Sequence, residues 1–316
     1  MKAIVINRYG SAEVLEYIED AERPQIKSNQ LLVQVQAAGV NPVDWKMRQG
    51  LLRPLTGNKF PIILGLDLAG DVVAVGDKVT QFKVGDSIYA DVGTVPGRAY
   101  AEYAVVSETA AALKPANFSY EEAAAVPVAG LTALQALRDH GQLQAGQKVL
   151  INGSSGGVGI FAVQIAKILG AEVTAVCSTK NLDLVKSLGA DRAIDYTQQD
   201  FTQESIQYHV ILDAVGKQSF SRCRRVLQPR GIYVTTLPGF DNAIQGLLTL
   251  LLPGKKAKFV LAKAQGQDLA LLKDWFEAGK IRPVIDRTYP LAEAVAAHTY
   301  SETERAVGKI VLTISS

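Results

Sequence analysis

Hydrophobic and polar positions give the chain two textures. Up to about residue 110, short apolar runs alternate with turn signals. The runs are IVI near the start, LLVQVQ (31–36), GDVVAVG (70–76), DSIYA (86–90) and AYAEYAVVS (99–107), with Gly76-Asp77 and Gly85-Asp86 between them. LLVQVQ alternates in part, as a half-buried strand does. Short strands joined by glycine turns predict a compact barrel or sandwich. The texture changes at Ser119, which with Glu122 makes a helix-start capping box. An alanine-rich helical stretch is predicted from Tyr120 to about His140, interrupted at Pro127.

From Gln147 the pattern becomes strand–helix alternation. Six candidate strands follow: KVLIN (148–152), EVTAVC (172–177), RAIDY (192–196), HVILDAV (209–215), GIYVTT (231–236) and KFVLA (258–262). Their near-continuous apolar cores fit strands covered on both faces. Most gaps leave room for a crossover helix. The class predicted is α/β, with a doubly wound parallel sheet. The last fifty residues carry two helical patterns, Asp268–Ala278 and Leu291–Ser301, then the strand GKIVLTI (308–314). This strand continues no βα alternation, so it is expected to return to the first domain. KFVLA reads as an apolar sheet edge, which needs cover. The apolar segment GLLTLLLP (246–253) reads equally as a pocket or dimer lining and as a buried helix.

The 316 residues suit about two domains. Apolar residues make up 48% and charged residues 20%, which excludes a disordered or fibrous chain. The 33 basic and 31 acidic side chains leave a net charge of +2, so there is no global drive toward nucleic acid or an anionic membrane. Two cysteines, Cys177 and Cys223, cannot build a disulfide framework or a thiolate zinc site. The three histidines lack ligand spacing. These counts suggest a cytoplasmic protein with no structural metal. The longest apolar stretch, Ile244 to Leu252, is about half of what a membrane span needs.

The most informative segment is KVLINGSSGGVGIFAVQIAKILGAEVTAVC. A buried strand enters Gly153-x-x-Gly156-x-x-Gly159, and a helix then opens with apolar positions at helical spacing. Gly156 would let a pyrophosphate approach the backbone, and Gly159 would let helix and strand pack closely. The free N–H groups of the helix start, Gly157 and Val158 among them, suit phosphate. Ser154 stands where the common pattern has its first glycine. The second strand ends in Cys177-Ser178-Thr179-Lys180-Asn181, without the carboxylate that usually bonds an NAD ribose. Ser178 and Lys180 could instead bind a 2′-phosphate, which points to NADPH. Lys180 also reads as a plain first-turn lysine. Cys177, close to this turn, reads better as a small buried strand residue than as a redox switch. Two basic clusters, Arg222, Arg224, Arg225 and Arg230, then Lys255, Lys256 and Lys258, lack interleaved aromatics and read as solvated faces.

The segments AAGVNPVDWKMRQG (37–50), FPIILGLDLAGDVVAVG (60–76), FKVGDSIYA (82–90), AAAVPVAGLTALQAL (123–137), NGSSGGVGIFAVQIAKILGA (152–171) and SLGADRAIDY (187–196) carry a resemblance that covers essentially the whole chain. It resembles the zinc-independent medium-chain dehydrogenases/reductases of the quinone oxidoreductase and alkenal (enone) reductase type, especially their plant chloroplast branch. The resemblance implies a GroES-like domain built from both chain ends (1–123 and 263–316) around a Rossmann domain (124–262), with the active site in the cleft. It implies a homodimer paired through the KFVLA edge. Zinc-dependent relatives place a Cys ligand where this chain has Asn41 and a His-Glu pair where it has Leu66-Asp67.

By the same resemblance Asn41 and Asp44 would lie near the nicotinamide as catalytic residues, and Thr132 would contact the cofactor. Tyr196, with Lys180, would flank the adenosine phosphate. Local readings stand beside these: a turn at Asn41-Pro42, a helix cap at Asp44, a buried helix threonine at 132, and a strand-end tyrosine at 196. The neighbourhood Trp45-Lys46 leaves no tyrosine proton donor after the N-P-x-D pattern. The function implied is hydride transfer from NADPH to a quinone or to the C=C bond of an α,β-unsaturated carbonyl compound, without zinc. The competing class is a non-catalytic NADPH-binding redox sensor or an RNA-binding crystallin-like protein.

Overall fold

The computed structural model describes residues 1–93, 95–237, 246, 249 and 253–314. Most of the apolar segment 246–253 therefore lies outside the described residues. The chain divides into two units. The first comprises Met1–Leu131, Lys263–Gly279 and the chain from Pro283 onward; the second comprises Thr132–Ala262 and Lys280–Arg282.

In the first unit, the long strand Gln30–Val40 is the organiser. It pairs antiparallel with Asp67–Val75, with Tyr103–Ser107 and with the C-terminal strand Lys309–Thr313. Register irregularities along it, between Leu32 and Val33 and between Val35 and Ala37, let one strand serve three partners. The sheet runs in the order Ile285–Pro290, Lys309–Thr313, Gln30–Val40, Asp67–Val75, Ser87–Asp91, Ala111–Leu113. A smaller sheet pairs Leu15–Ile18, Ala3–Ile6 and Ile62–Ile63. Leu31, Val33, Leu68, Ile88 and Leu312 share the core. The return of the C-terminal strand to this unit is as the sequence pattern predicts.

In the second unit, six parallel strands stand in the order Arg192–Asp195, Glu172–Cys177, Lys148–Asn152, Tyr208–Asp213, Leu227–Thr235, Lys256–Phe259. This is the doubly wound arrangement of a dinucleotide-binding sheet, 3-2-1-4-5-6. Leu150, Val176, Ile211 and Tyr233 lie in its core. The third and fourth strands end one and two residues earlier than expected, at Asp195 and Asp213, and the last two strands differ more. The fifth strand begins at Leu227, because Leu227 already pairs with Tyr208 before a register shift leaves Pro229 and Arg230 exposed. The sixth strand is Lys256–Phe259 and not 258–262; it pairs with Ile232–Thr235 and ends before the buried Val260. The basic clusters are partly tied down. Arg222 pairs with Asp200 at 3.0 Å, and Lys255 and Lys258 donate to the carbonyls of Arg224 and His140.

Helices follow the predicted pattern. Ser119 and Glu122 close a capping box at the start of Tyr120–Ala124. Pro127 then starts a second helix, Pro127–Gln135, which runs on into a wider turn, Ala136–His140. Among the described residues no helix is long and apolar enough to cross a membrane.

Candidate functional site

The glycine turn has the form that phosphate binding needs. Gly153 has φ +80°, and a Cβ there would stand 2.3 Å from Val215 Cγ2. A Cβ on Gly159 would stand 2.1 Å from the Gly153 carbonyl oxygen, so only glycine lets this helix meet the turn. Gly156 is different. Among the described residues its side-chain position is open, with only that same carbonyl oxygen nearby at 3.4 Å, which leaves room for a ligand against the backbone. The helix Gly157–Ile168 starts here with no side-chain cap. The N–H groups of Gly157, Val158 and Gly159 therefore lack intrahelical partners and carry the positive end of the helix dipole. Ser154 is fully buried and donates its hydroxyl to the Val176 carbonyl at 2.9 Å. It braces the turn against the second strand. This arrangement fits a nucleotide pyrophosphate.

Beyond the second strand, Ser178 precedes the short turn Thr179–Asn181. Asn181 donates to Ser155 Oγ at 2.9 Å, which links this turn to the glycine turn. Lys180 is exposed and has no hydrogen bond or ion pair among the described residues. Tyr196 is 61% exposed at the end of the third strand. One acidic group near this turn escaped the sequence reading. Cys177 and Asp195 are in register across neighbouring strands, and the Asp195 carboxylate accepts hydrogen bonds from the Thr179 hydroxyl and from Thr197. These bonds hold it below the usual carboxylate range. The second strand ends without a carboxylate, but the third supplies one in register with Cys177. Cys177 is buried, and burial pushes its thiol up, so it is a packed strand residue.

Asn41 and Asp44 come together in the first unit, in a buried polar centre. Asn41 caps the helix Pro42–Arg48, and Asp44 Oδ2 accepts the Asn41 backbone N–H at 2.8 Å. Asp44 therefore does the capping expected of it, yet it is also fully buried and accepts from the Tyr100 hydroxyl at 2.9 Å. Burial raises its pKa to about 7, against the lowering effect of those two bonds. The Asn41 carboxamide donates to Asp67 Oδ2 at 2.9 Å and accepts from Lys309 Nζ at 2.5 Å. Lys309 also pairs with Asp67 at 3.1 Å, both side chains being buried. Asp91, in register opposite Asp67, is pushed up to about 7 by burial and by the Asp67 charge. His298 lies 3.4 Å from the Tyr100 hydroxyl, and burial lowers its pKa to about 3, so the ring is neutral. Thr132 is 8% exposed on the helix Pro127–Gln135.

The positions where zinc-dependent relatives hold their metal do not fit one here. Leu66 has no donor atom, and Asn41 Oδ1 and Asp67 Oδ2 are both bonded to an ammonium group. A divalent cation would have to displace a buried lysine of like charge.

A mainly antiparallel sheet that takes in the C-terminal strand, and a parallel sheet of order 3-2-1-4-5-6 with a glycine turn after its first strand, are the two parts of the alcohol dehydrogenase class of nucleotide-binding proteins. Residues 27–116 match the family description "Alcohol dehydrogenase GroES-like domain", and residues 188–312 match "Zinc-binding dehydrogenase". The chain is 36% identical to the chloroplast envelope quinone oxidoreductase homolog of Arabidopsis thaliana, over 99% of this chain and 98% of the relative. It is 38% identical to the chloroplastic NADPH-dependent alkenal/one oxidoreductase of the same plant, over 99% of this chain and 79% of that one. The solved quinone oxidoreductase of Coxiella burnetii superposes with a TM-score of 0.91 at 32% identity, covering 100% of this chain and 99% of the other. The chain belongs to the medium-chain dehydrogenase/reductase family, in the group that holds these quinone and alkenal oxidoreductases.

Sequence reasoning missed Lys309, Asp67, Tyr100 and Asp91 as members of one centre. Two of them left a signal: Lys309, a lysine that opens an otherwise apolar strand, GKIVLTI, and Asp67, which with Asn41 stands at a ligand position of the zinc-dependent relatives.

Proposed function

We propose that the protein is an NADPH-dependent oxidoreductase that reduces a quinone or the C=C bond of an α,β-unsaturated carbonyl compound, without zinc. The observation that carries this reading is the glycine turn: room at Gly156 beside three N–H groups that lack intrahelical partners. The relatives' printed activities supply the substrate class. When bound, a reduced nicotinamide supplies the hydride. The chain's own work is to bind, orient and exclude. Gly156, Gly157 and Val158 would hold the pyrophosphate; Ser178, Lys180 and Tyr196 would take the adenosine end and its 2′-phosphate. Thr132 and Asn41 would contact the nicotinamide side. Leu66 and the lysine-bonded Asn41 and Asp67 do not fit a metal that would polarise an unactivated carbonyl, so the acceptor must be activated already. Conjugation provides this by spreading developing negative charge onto oxygen, where fixed donors can meet it.

Lys180, free and exposed, supports NADPH over NADH, and Asp195 tempers that preference. Two buried free cysteines suit a reducing compartment such as the cytoplasm. The outermost strand Lys256–Phe259, whose Phe259 is 38% exposed and which is followed by a 75% exposed Leu261, supports a homodimer. The sensor reading loses its best thiol, since Cys177 is buried. The test follows absorbance at 340 nm with 3-buten-2-one, a benzoquinone and a saturated ketone. Turnover of the first or second, with the ketone far slower, supports the proposal. A ketone reduced as fast as the enone rejects it, and so does tight NADPH binding without any turnover.

A further inference from the structure

The buried Asp67–Lys309 pair has no place in the reaction as proposed, yet it touches the one amide that does. A carboxamide has one acceptor atom and two N–H donors, and its two ends are hard to tell apart by shape. Here the partners decide. Lys309 can only donate, so the atom 2.5 Å from its Nζ is the oxygen of Asn41. Asp67 Oδ2, 2.9 Å away, accepts from the nitrogen. Turning the amide over would set N–H against ammonium and C=O against carboxylate. Asp44 fixes the Asn41 backbone from the other side.

Asp67 also reaches further. Its Oδ1 accepts the Val128 N–H at 2.8 Å, in the first turn of Pro127–Gln135. One carboxylate thus ties together a helix start, two strands and the Asn41 cap. The strand beside it is shaped to admit this. A Cβ on Gly39 would stand 2.8 Å from Asp67 Oδ2 and 2.5 Å from the Ala124 carbonyl oxygen.

Resting on the proposed function, we infer that Asp67 and Lys309 are the positioning pair of the site. They lock the Asn41 carboxamide in one orientation and engage its oxygen and one N–H. The donor that Asn41 still has for a ligand is its second N–H, and the ligand atom this N–H meets is an acceptor, such as a carbonyl oxygen. Neither Asp67 nor Lys309 need touch the ligand.

The test uses the full-length protein with four variants: Lys309→Met, Lys309→Arg, Asp67→Asn and the double Asp67→Asn/Lys309→Met. The single neutralisations leave a buried charge without its partner and are expected to lower stability. The double variant removes both charges together and is expected to fold. It leaves the amide free to turn, so kcat with the enone should fall on the order of 10²-fold, as for loss of one oriented donor. Its affinity for 2′,5′-ADP, read by calorimetry, should stay within about threefold, a range worth under ~0.7 kcal/mol. Lys309→Arg keeps charge and donor and should recover most of the activity. A double variant that folds and keeps the parent kcat overturns the inference, and so does Lys309→Arg failing as badly as Lys309→Met. A second readout needs no turnover. In 15N-resolved NMR, the Asn41 side-chain N–H pair should be slowly exchanging and widely split in the parent, and lost or averaged in the double variant. An unchanged pair there also overturns it. If the parent reduces neither enone nor quinone, the proposed function fails, while the NMR comparison still judges the positioning pair.

Discussion

Asp44→Asn offers a measurement in which one buried carboxyl can be isolated. The carboxyl of Asp44 titrates near 7 in the fold, against its usual 3.8, because burial penalises its charged form. Between those two values the folded protein holds a proton that the unfolded chain has lost. Stability from this group is therefore complete below 3.8, falls as pH rises toward 7, and stays lost above that. A shift of about three pK units corresponds to an upper limit of roughly 4 kcal/mol. About half, roughly 2 kcal/mol, falls between about pH 5.5 and 8.5. Asparagine keeps an oxygen that can accept from the Asn41 N–H and the Tyr100 hydroxyl, and it does not titrate. Its extra N–H groups add a penalty, but one that is the same at every pH. Asp91, raised to a similar value, is present in both proteins and drops out of the comparison. The assay is thermal unfolding of parent and variant across that range. At about 2–4 °C per kcal/mol, the variant should gain roughly 4–8 °C on the parent from the low to the high end. A Tm difference that does not change with pH would show that Asp44 does not take up a proton on folding.

Three further outcomes are expected. Gly159→Ala should cost folding or abolish 2′,5′-ADP binding, because its Cβ meets backbone at 2.1 Å, whereas Gly156→Ala should fold normally and lose cofactor affinity alone; calorimetry with circular dichroism separates the two. Lys180→Ala should weaken NADPH by about tenfold to a hundredfold, the worth of a charge-assisted contact, and leave NADH nearly unchanged; equal losses would mean a structural role. Light scattering at micromolar concentration should report a dimer, and Leu261→Glu beside the sheet edge should shift it toward monomer. A monomeric parent would remove the edge-pairing proposal.

The parallel sheet was legible because each strand is a short apolar run at regular spacing, a pattern that burial on both faces imposes. The glycine turn was legible for a related reason: its residues are fixed by backbone contact at distances that admit no side chain. The strand Ile285–Pro290 was not, since IDRTYP is polar and partly exposed and carries no alternation. The polar centre was hidden for another reason. Asn41 and Lys309 lie 268 positions apart, and nothing local to either marks a partner. Asp195 escaped notice because strand order, not sequence distance, sets it beside Cys177 and Thr179.

The placement of Lys309 on the last strand has a consequence for biosynthesis. As the chain emerges from the ribosome, Gln30–Val40 appears early, with its edge toward Lys309–Thr313 unpaired. The whole of Thr132–Ala262 is made before that partner exists. At about 5–20 residues per second, the final fifty residues take on the order of 3–10 s to appear. For that interval the nascent first unit carries an open strand edge, a template for pairing with other chains, and an Asp67 carboxylate whose counter-charge has yet to be translated. The six strands of the nucleotide-binding sheet are all made by Phe259, with Lys280–Arg282 of that unit following. Newly made protein should thus acquire the ability to bind nucleotide before it acquires its polar centre.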